Sequence, residues 1–351
     1  MLYRCELKKS LITHRGLLIL AVCLLLKLIL FCAFLEQKDS RIVLSQKQYD
    51  KYLAQLYGAN TPEKSDWIRT EYETCKQIKD MQETMQARYT RGELTEAEWI
   101  AYTEEYRLAE LHINAAQIFA EKAEQFLEQP EDIPPARYIY EYGWQTVFTL
   151  LQFPDIFLLF ALLLLTAQSF SAEASGGMLP VLLAARNGRR KLYYAKLLAL
   201  LTVGLAACLV SGGLELGVFA LRGWCNDAAA PLYSVTLLTD SALELSLAQG
   251  LALCLAVRLL AVLLATALLF GLSVWVRSAT NLIFLGLCWL GLPLLWGGVA
   301  ALYTHGGLLS GARMLLWLGD TTANLLLPLT VVTAYSAAVA ALAAKRHERG
   351  L

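Results

Sequence analysis

Histidine, phosphate-binding glycine and net charge are what this chain has little of. Its four histidines, His14, His112, His305 and His347, fall in four different segments with no H-x-x-x-H or H-E-x-x-H spacing, so a metal site is not expected. The glycine pairs at 176–177, 212–213, 297–298 and 306–307 lack the Lys-Ser/Thr that completes a G-x-x-x-x-G-K-S/T phosphate loop. Nucleotide hydrolysis on this chain is therefore excluded as an expectation. No G-x-S-x-G nucleophile elbow occurs either, which removes the usual route to an intramembrane hydrolase. Lys+Arg and Asp+Glu balance at 30 each, so no nucleic-acid partner is expected, and no motif calls for a cofactor.

What the chain has is apolar length. Of its 351 residues 57% are hydrophobic, a composition that belongs to an integral membrane protein and not to a soluble domain. Crossing ~30 Å of hydrocarbon takes ~20 helical residues. Six stretches reach that length: 16–36, 146–169, 192–221, 247–276, 280–302 and 321–344. Pro154, Pro293 and Pro328 mark the expected bends. The first stretch reads as an uncleaved signal anchor, because no small-x-small site follows Phe34. Six of the eight cysteines lie in or beside spans, where Cys acts as a small apolar residue; only Cys75 and Cys225 should face outward, and no disulfide between them is expected.

The basic residues of the short segments are unevenly divided. Thirteen Lys/Arg, among them Arg4, Lys8, Lys9 and Arg15 and five in the 171–196 loop, fall on one side, against Arg222 and Arg313 on the other. By the positive-inside rule both termini and the 171–196 loop are expected in the cytoplasm. Residues 37–145, flanked by the first two spans, are then expected outside, and their composition shifts to 13 Lys/Arg against 20 Asp/Glu.

Thr61-Pro62-Glu63 gives that insert a helix start with an N-cap and a proline at N1, running to about Tyr89 before Gly92. Thr95-Glu96-Ala97-Glu98 is a capping box for a second helix, with apolar residues from Trp99, Tyr102 and Tyr106 through Ala109, Ile113 and Ala116 to Leu127 in 3,4 alternation. Its expected partner is the first helix, through Ile68, Tyr72, Cys75, Ile78, Met81 and Met85, in an antiparallel, coiled-coil-like hairpin closed by Pro130, Pro134 and Pro135. The fold class expected is an all-α membrane protein of six spans with this hairpin between spans 1 and 2. The expected divisions are 1–36, 37–145 and 146–351.

The 171–196 loop is itself greasy. Gly176 and Gly177 open it, Met178, Leu179, Leu182 and Leu183 form an apolar stripe at helical spacing, and Asn187-Gly188 supplies a stop. An exposed apolar helix beside a bilayer wants a protein partner, or else lies on the lipid headgroups. Within the spans stand four costly charges, Lys27, Asp155, Glu215 and Arg258. Lys27 is expected to snorkel outward, and Arg258 to be paired with Asp155 or Glu215.

These residues together resemble the membrane subunit, or permease, of ABC-2 type ATP-binding cassette exporters, including the bacterial group associated with peptide antibiotics. The resemblance rests on Glu6, Lys8 and Lys9 before span 1, the large insert after it, and the loop pattern Glu173, Gly176-Gly177, Leu182-Leu183, Arg189, Lys191 and Lys196. Pro231-Leu232-Tyr233-Ser234 before span 4 adds to it. It implies that the loop, with Leu179 in its apolar face, forms a coupling helix docked on a separate ATPase subunit. It also implies two permease copies, or this chain and a paralogue, with the pathway between them. The competing readings are a secondary transporter, for which no internal repeat is visible, and a membrane sensor or scaffold whose outer hairpin binds a ligand and whose inner loop recruits a partner.

Overall fold

The computed structural model describes every residue except Met1, His14, Gln37, 128–133, 176–187, Asp240, Ala242, Arg277, 297–302, Gly311, 314–321 and 350–351. A short helix α1 (Leu2–Lys8), continued by a π-helical turn at Lys9–Thr13, precedes α2 (Gly16–Ala33). The later apolar helices are α7 (Tyr142–Leu151), α8 (Ile156–Ser175), α9 (Gly188–Leu221), α10 (Leu247–Trp275), α11 (Ala279–Trp296), α12 (His305–Leu308) and α13 (Thr322–Arg349). Five segments are long and apolar enough to cross a membrane: Gly16–Ala33, Tyr142–Ser171, Arg189–Leu221, Leu247–Trp275 and Leu326–Arg349. The remaining apolar stretch of the sequence, 280–302, is helical as α11, but its described apolar part, Ala279–Trp289, is shorter, and 297–302 lie outside the described residues. The chain is an all-α membrane protein, its one sheet among the described residues being a two-residue antiparallel ladder of β1 (Gly58–Ala59) and β2 (Arg137–Tyr138).

The second span is interrupted where Pro154 stands. Proline brings no N–H and its ring disfavours a continuing helix before it, so α7 ends at Leu151 and α8 begins at Ile156. Asp155 caps the new start, its Oδ1 accepting from the Leu158 N–H at 3.0 Å. Pro328, by contrast, lies inside α13.

Between the first two spans the chain forms α3 (Ser40–Leu56), α4 (Pro62–Asp80), α5 (Gln82–Thr90) and α6 (Glu96–Leu127). The Thr95–Glu98 capping box forms reciprocally, Glu98 N–H to Thr95 Oγ1 at 3.3 Å and Thr95 N–H to Glu98 Oε2 at 2.8 Å. α6 runs beside α4, with the Tyr102 hydroxyl donating to the Ile78 carbonyl at 2.8 Å and Tyr89 stacked on Trp99 near the turn. Two expectations for this region need correction. The first helix does not continue unbroken to Tyr89 but breaks at Met81, which is exposed, so the apolar seam between the helices thins toward the tip. α6 also buries a second face, through Ala115, Ile118, Phe119, Lys122 and Phe126, because α3 packs there with Ile42, Tyr49, Tyr52 and Leu56. Leu127, assigned to the seam, is exposed.

The core of the spans runs through α7 to α10, from Trp144, Phe148 and Leu162 to Phe219, Leu251 and Ala261. Gly143 lets α7 touch the chain after α9, since a Cβ there would sit 2.7 Å from Trp224 Cα. A separate cluster of Phe170, Tyr193, Phe270 and Ala343 fills the opposite end of the bundle, against Leu7 and Leu11 of the N-terminal segment.

Candidate functional site

Two groups of charged side chains lie at different depths in the bundle. The first gathers where the 171–196 loop leaves α8 and enters α9. Lys196 Nζ donates to Glu173 Oε1 at 2.8 Å and to the Ser169 carbonyl at 2.8 Å, and lies 3.2 Å from Glu6 Oε2 of α1. Lys9 also pairs with Glu173. Tyr3 completes the attachment of α1 by donating to Thr202 Oγ1 of α9 at 3.0 Å. Burial alone would raise the Glu173 carboxyl, but Lys196 and Lys9 outweigh it and hold the group below the usual carboxylate range.

The same end is tied to the last helix. The Tyr193 hydroxyl donates to the Ala340 carbonyl at 2.9 Å, Arg189 Nη1 donates to the Glu348 carbonyl at 3.3 Å, and Arg190 lies 3.2 Å from the Glu348 carboxylate. Of the loop residues singled out in the sequence, Glu173 and Lys196 are thus buried against each other. Lys191 is exposed, and Gly176, Gly177, Leu179, Leu182 and Leu183 lie outside the described residues.

The second group is inside the spans. Glu215 of α9 accepts Arg258 Nη1 of α10 on both oxygens, at 2.7 and 2.9 Å. Lys27 of α2 lies 2.6 Å from Glu215 and also pairs with Asp155, whose Oδ2 takes a hydrogen bond from Ser211 at 2.6 Å. Lys27 is 3% exposed, so it turns inward and does not snorkel, because two carboxylates are within its reach. The quartet is electrically neutral, two cations against two anions, which is what makes four charges tolerable at this depth.

Its location follows from the interrupted span. Ending α7 at Leu151 strands carbonyls at a helix C-terminus, where a cation is favourable, and Arg258 Nη2 donates to the Phe153 carbonyl at 3.2 Å. Arg258 Nε reaches the Leu309 carbonyl at 3.3 Å. A cavity of about 270 Å³ adjoins the quartet, bounded by Asp155, Ser211 and Arg258 and by Gly212 and Gly213 of α9. Ser211 escaped the sequence reading, although its i, i+4 spacing to Glu215 puts both on one face of α9. What escaped for His305, weighed in the sequence only as a metal ligand, is its buried setting, hydrogen-bonded on both ring nitrogens, to Tyr335 and Ser336 at 2.8 Å each, a pairing of distant segments with no sequence signal.

Residues 2–346, nearly the whole chain, match the family model described as ABC-2 family transporter protein. The chain belongs to the ABC-2 transporter family. No curated protein and no solved structure matches it. Members of this family are membrane components and not themselves ATPases, and they generally work with a separate ATP-binding subunit; this chain is a multi-pass membrane protein of that family. The first charged group sits on the segments that border the 171–196 loop.

Proposed function

We propose that this chain is the permease subunit of an ABC-2 exporter of the plasma membrane, moving an amphipathic substrate such as a peptide, antibiotic or lipid with ATP hydrolysed on a separate polypeptide. Both termini and the 171–196 loop lie in the cytoplasm, residues 37–145 form an outer helical hairpin domain, and α11 completes a sixth span. Two copies, or this chain and a paralogue, enclose the path. Leu179, Leu182 and Leu183 form the apolar face that docks on the ATPase, with Gly176 and Gly177 as its entry and Arg189 and Lys191 at its exit.

The observation that supports this most is the Glu6–Lys196–Glu173–Lys9 cluster, which ties α1 to both helix ends bordering the loop. A push on the loop then reaches α1, α8 and α9 together. Rigid-body rocking of the spans is the motion this arrangement favours, since packed helices shift as units. In the bilayer the neutral quartet holds α2, α8, α9 and α10 as one such unit.

Affinity purification of the tagged full-length chain from its own cells, with mass spectrometry, tests the reading. A stoichiometric partner carrying a phosphate loop supports it. A partner without a nucleotide site, recruited together with an outer ligand, supports instead the sensor or scaffold reading.

A further inference from the structure

At the foot of the insert, beside the ends of α2 and α7, lies a cavity of about 560 Å³ that the transport reading leaves without a role. Its size is that of a small-molecule pocket. Cations and carboxylates both line it, and most are already satisfied by one another. Arg41 bridges two carboxylates, Asp39 at 2.8 Å and Glu121 at 3.0 Å. Lys122, itself buried, lies 3.1 Å from Glu141, whose Oε2 also accepts from the N–H and hydroxyl of Thr236 at 2.7 Å each.

What remains is negative and underpaired. Arg41 supplies one charge against two: its guanidinium holds Asp39 below its usual pKa, and Glu121, which also accepts from Gln117 at 2.8 Å, leaves the group one negative charge in surplus. Glu36 accepts the Tyr140 hydroxyl on Oε2 at 3.1 Å, with Lys38 no nearer than 3.7 Å, while its covered Oε1 has no hydrogen-bond partner among the described residues. A covered carboxylate oxygen without a donor is costly, by more than a neutral acceptor would be. The missing group is a donor carrying positive charge. Next to these carboxylates the wall becomes apolar at Ile118 and Tyr142, and outside it Leu30 and Leu35 of the span 1 end are exposed, 54% and 75%.

We infer that this cavity binds the head of a cationic amphipathic molecule, its primary ammonium group held by Glu36 and the surplus carboxylate of the Asp39–Arg41–Glu121 bridge, its apolar part lying against Ile118 and Tyr142. Charge surplus, an orphaned acceptor and the apolar side chains of Ile118 and Tyr142 in the same lining converge on that one ligand class. The site goes beyond the permease reading and needs no ATPase, so its test stands or falls separately from that reading.

Dansylcadaverine, an aromatic ring on an alkyl ammonium, is a suitable probe. It is titrated onto the full-length protein in phosphatidylcholine nanodiscs, and the fluorescence of empty discs is subtracted. Saturable binding is expected, weakened at least about tenfold when the probe's amine is acetylated and about tenfold in the Glu36→Gln, Glu121→Gln variant. The acetylated probe needs no mutation, so it decides even where the variant folds poorly. Equal binding of the acetylated probe to the unaltered protein would overturn the proposal, as would unchanged binding in a folded variant.

Discussion

Replacing Arg258 by leucine removes one member of the intramembrane quartet while keeping bulk in the helix. The arginine donates twice to Glu215, at 2.7 and 2.9 Å, and to the Phe153 and Leu309 carbonyls at 3.2 and 3.3 Å. Without it two carboxylates face the single ammonium of Lys27, and two carbonyls lose a donor. Breaking a buried ion pair costs ~3–5 kcal/mol. Lys27, 2.6 Å from Glu215, remains to offset part of this, so the expected loss is about 3 kcal/mol, or ~100-fold in the unfolding equilibrium. Adding Glu215→Gln leaves a neutral Lys27–Asp155 pair and should restore ~1–2 kcal/mol. Adding Asp155→Asn instead also balances the charge but should restore less, because Asp155 contacts Lys27 and Ser211 and not Arg258. Unfolding titrated with sodium dodecyl sulfate in mixed micelles, arranged as a double-mutant cycle, reads these differences. A loss below ~1 kcal/mol for Arg258→Leu, or no recovery with Glu215→Gln, would refute the quartet's role.

Two further outcomes are expected. In intact cells an impermeant maleimide should label Glu110→Cys but not Asn187→Cys in a cysteine-free background, and the reverse pattern would invert the topology. Because Lys196 and Lys9 depress the Glu173 carboxyl, its stabilisation is complete above the unfolded value of ~4.3 and is lost as pH falls through the lower folded value. Spin labels at the exposed positions 4 and 198 should therefore keep one distance from pH 7 to 5 and separate only as the pH falls below the ordinary carboxylate range, whereas Glu173→Gln should separate them at pH 7; a distance indifferent to both changes would contradict the role of the cluster.

Much of the architecture was readable because each feature has a local cause. Pro154 predicted the bend in span 2, and the break falls there; the Thr95–Glu98 box predicted the start of α6, and the reciprocal bonds form. Lys27, Asp155, Glu215 and Arg258 stood out because charge in a span is expensive, but who pairs with whom depends on how four helices pack, which spacing along one helix does not encode. α3 was missed although Asp39 caps it and Ile42, Tyr49, Tyr52 and Leu56 recur at heptad-like spacing. Its polar remainder reads as a linker until α6 offers it a face. The cavity at the foot of the insert was invisible for the same reason, since Glu36, Glu121 and Glu141 come from three separate segments.

The central claim is that the 171–196 loop engages a separate ATPase through its leucine face. Co-purification of that subunit with the Leu182→Asp, Leu183→Asp variant tests it most directly. Two carboxylates forced into an apolar groove cost several kcal/mol, enough to abolish docking of ordinary affinity, while membrane insertion should be untouched on the proposed placement of the loop outside the hydrocarbon. Normal membrane levels with loss of the ATPase are the expected result. Retention of the ATPase together with full transport would contradict the claim and return the loop to the lipid surface.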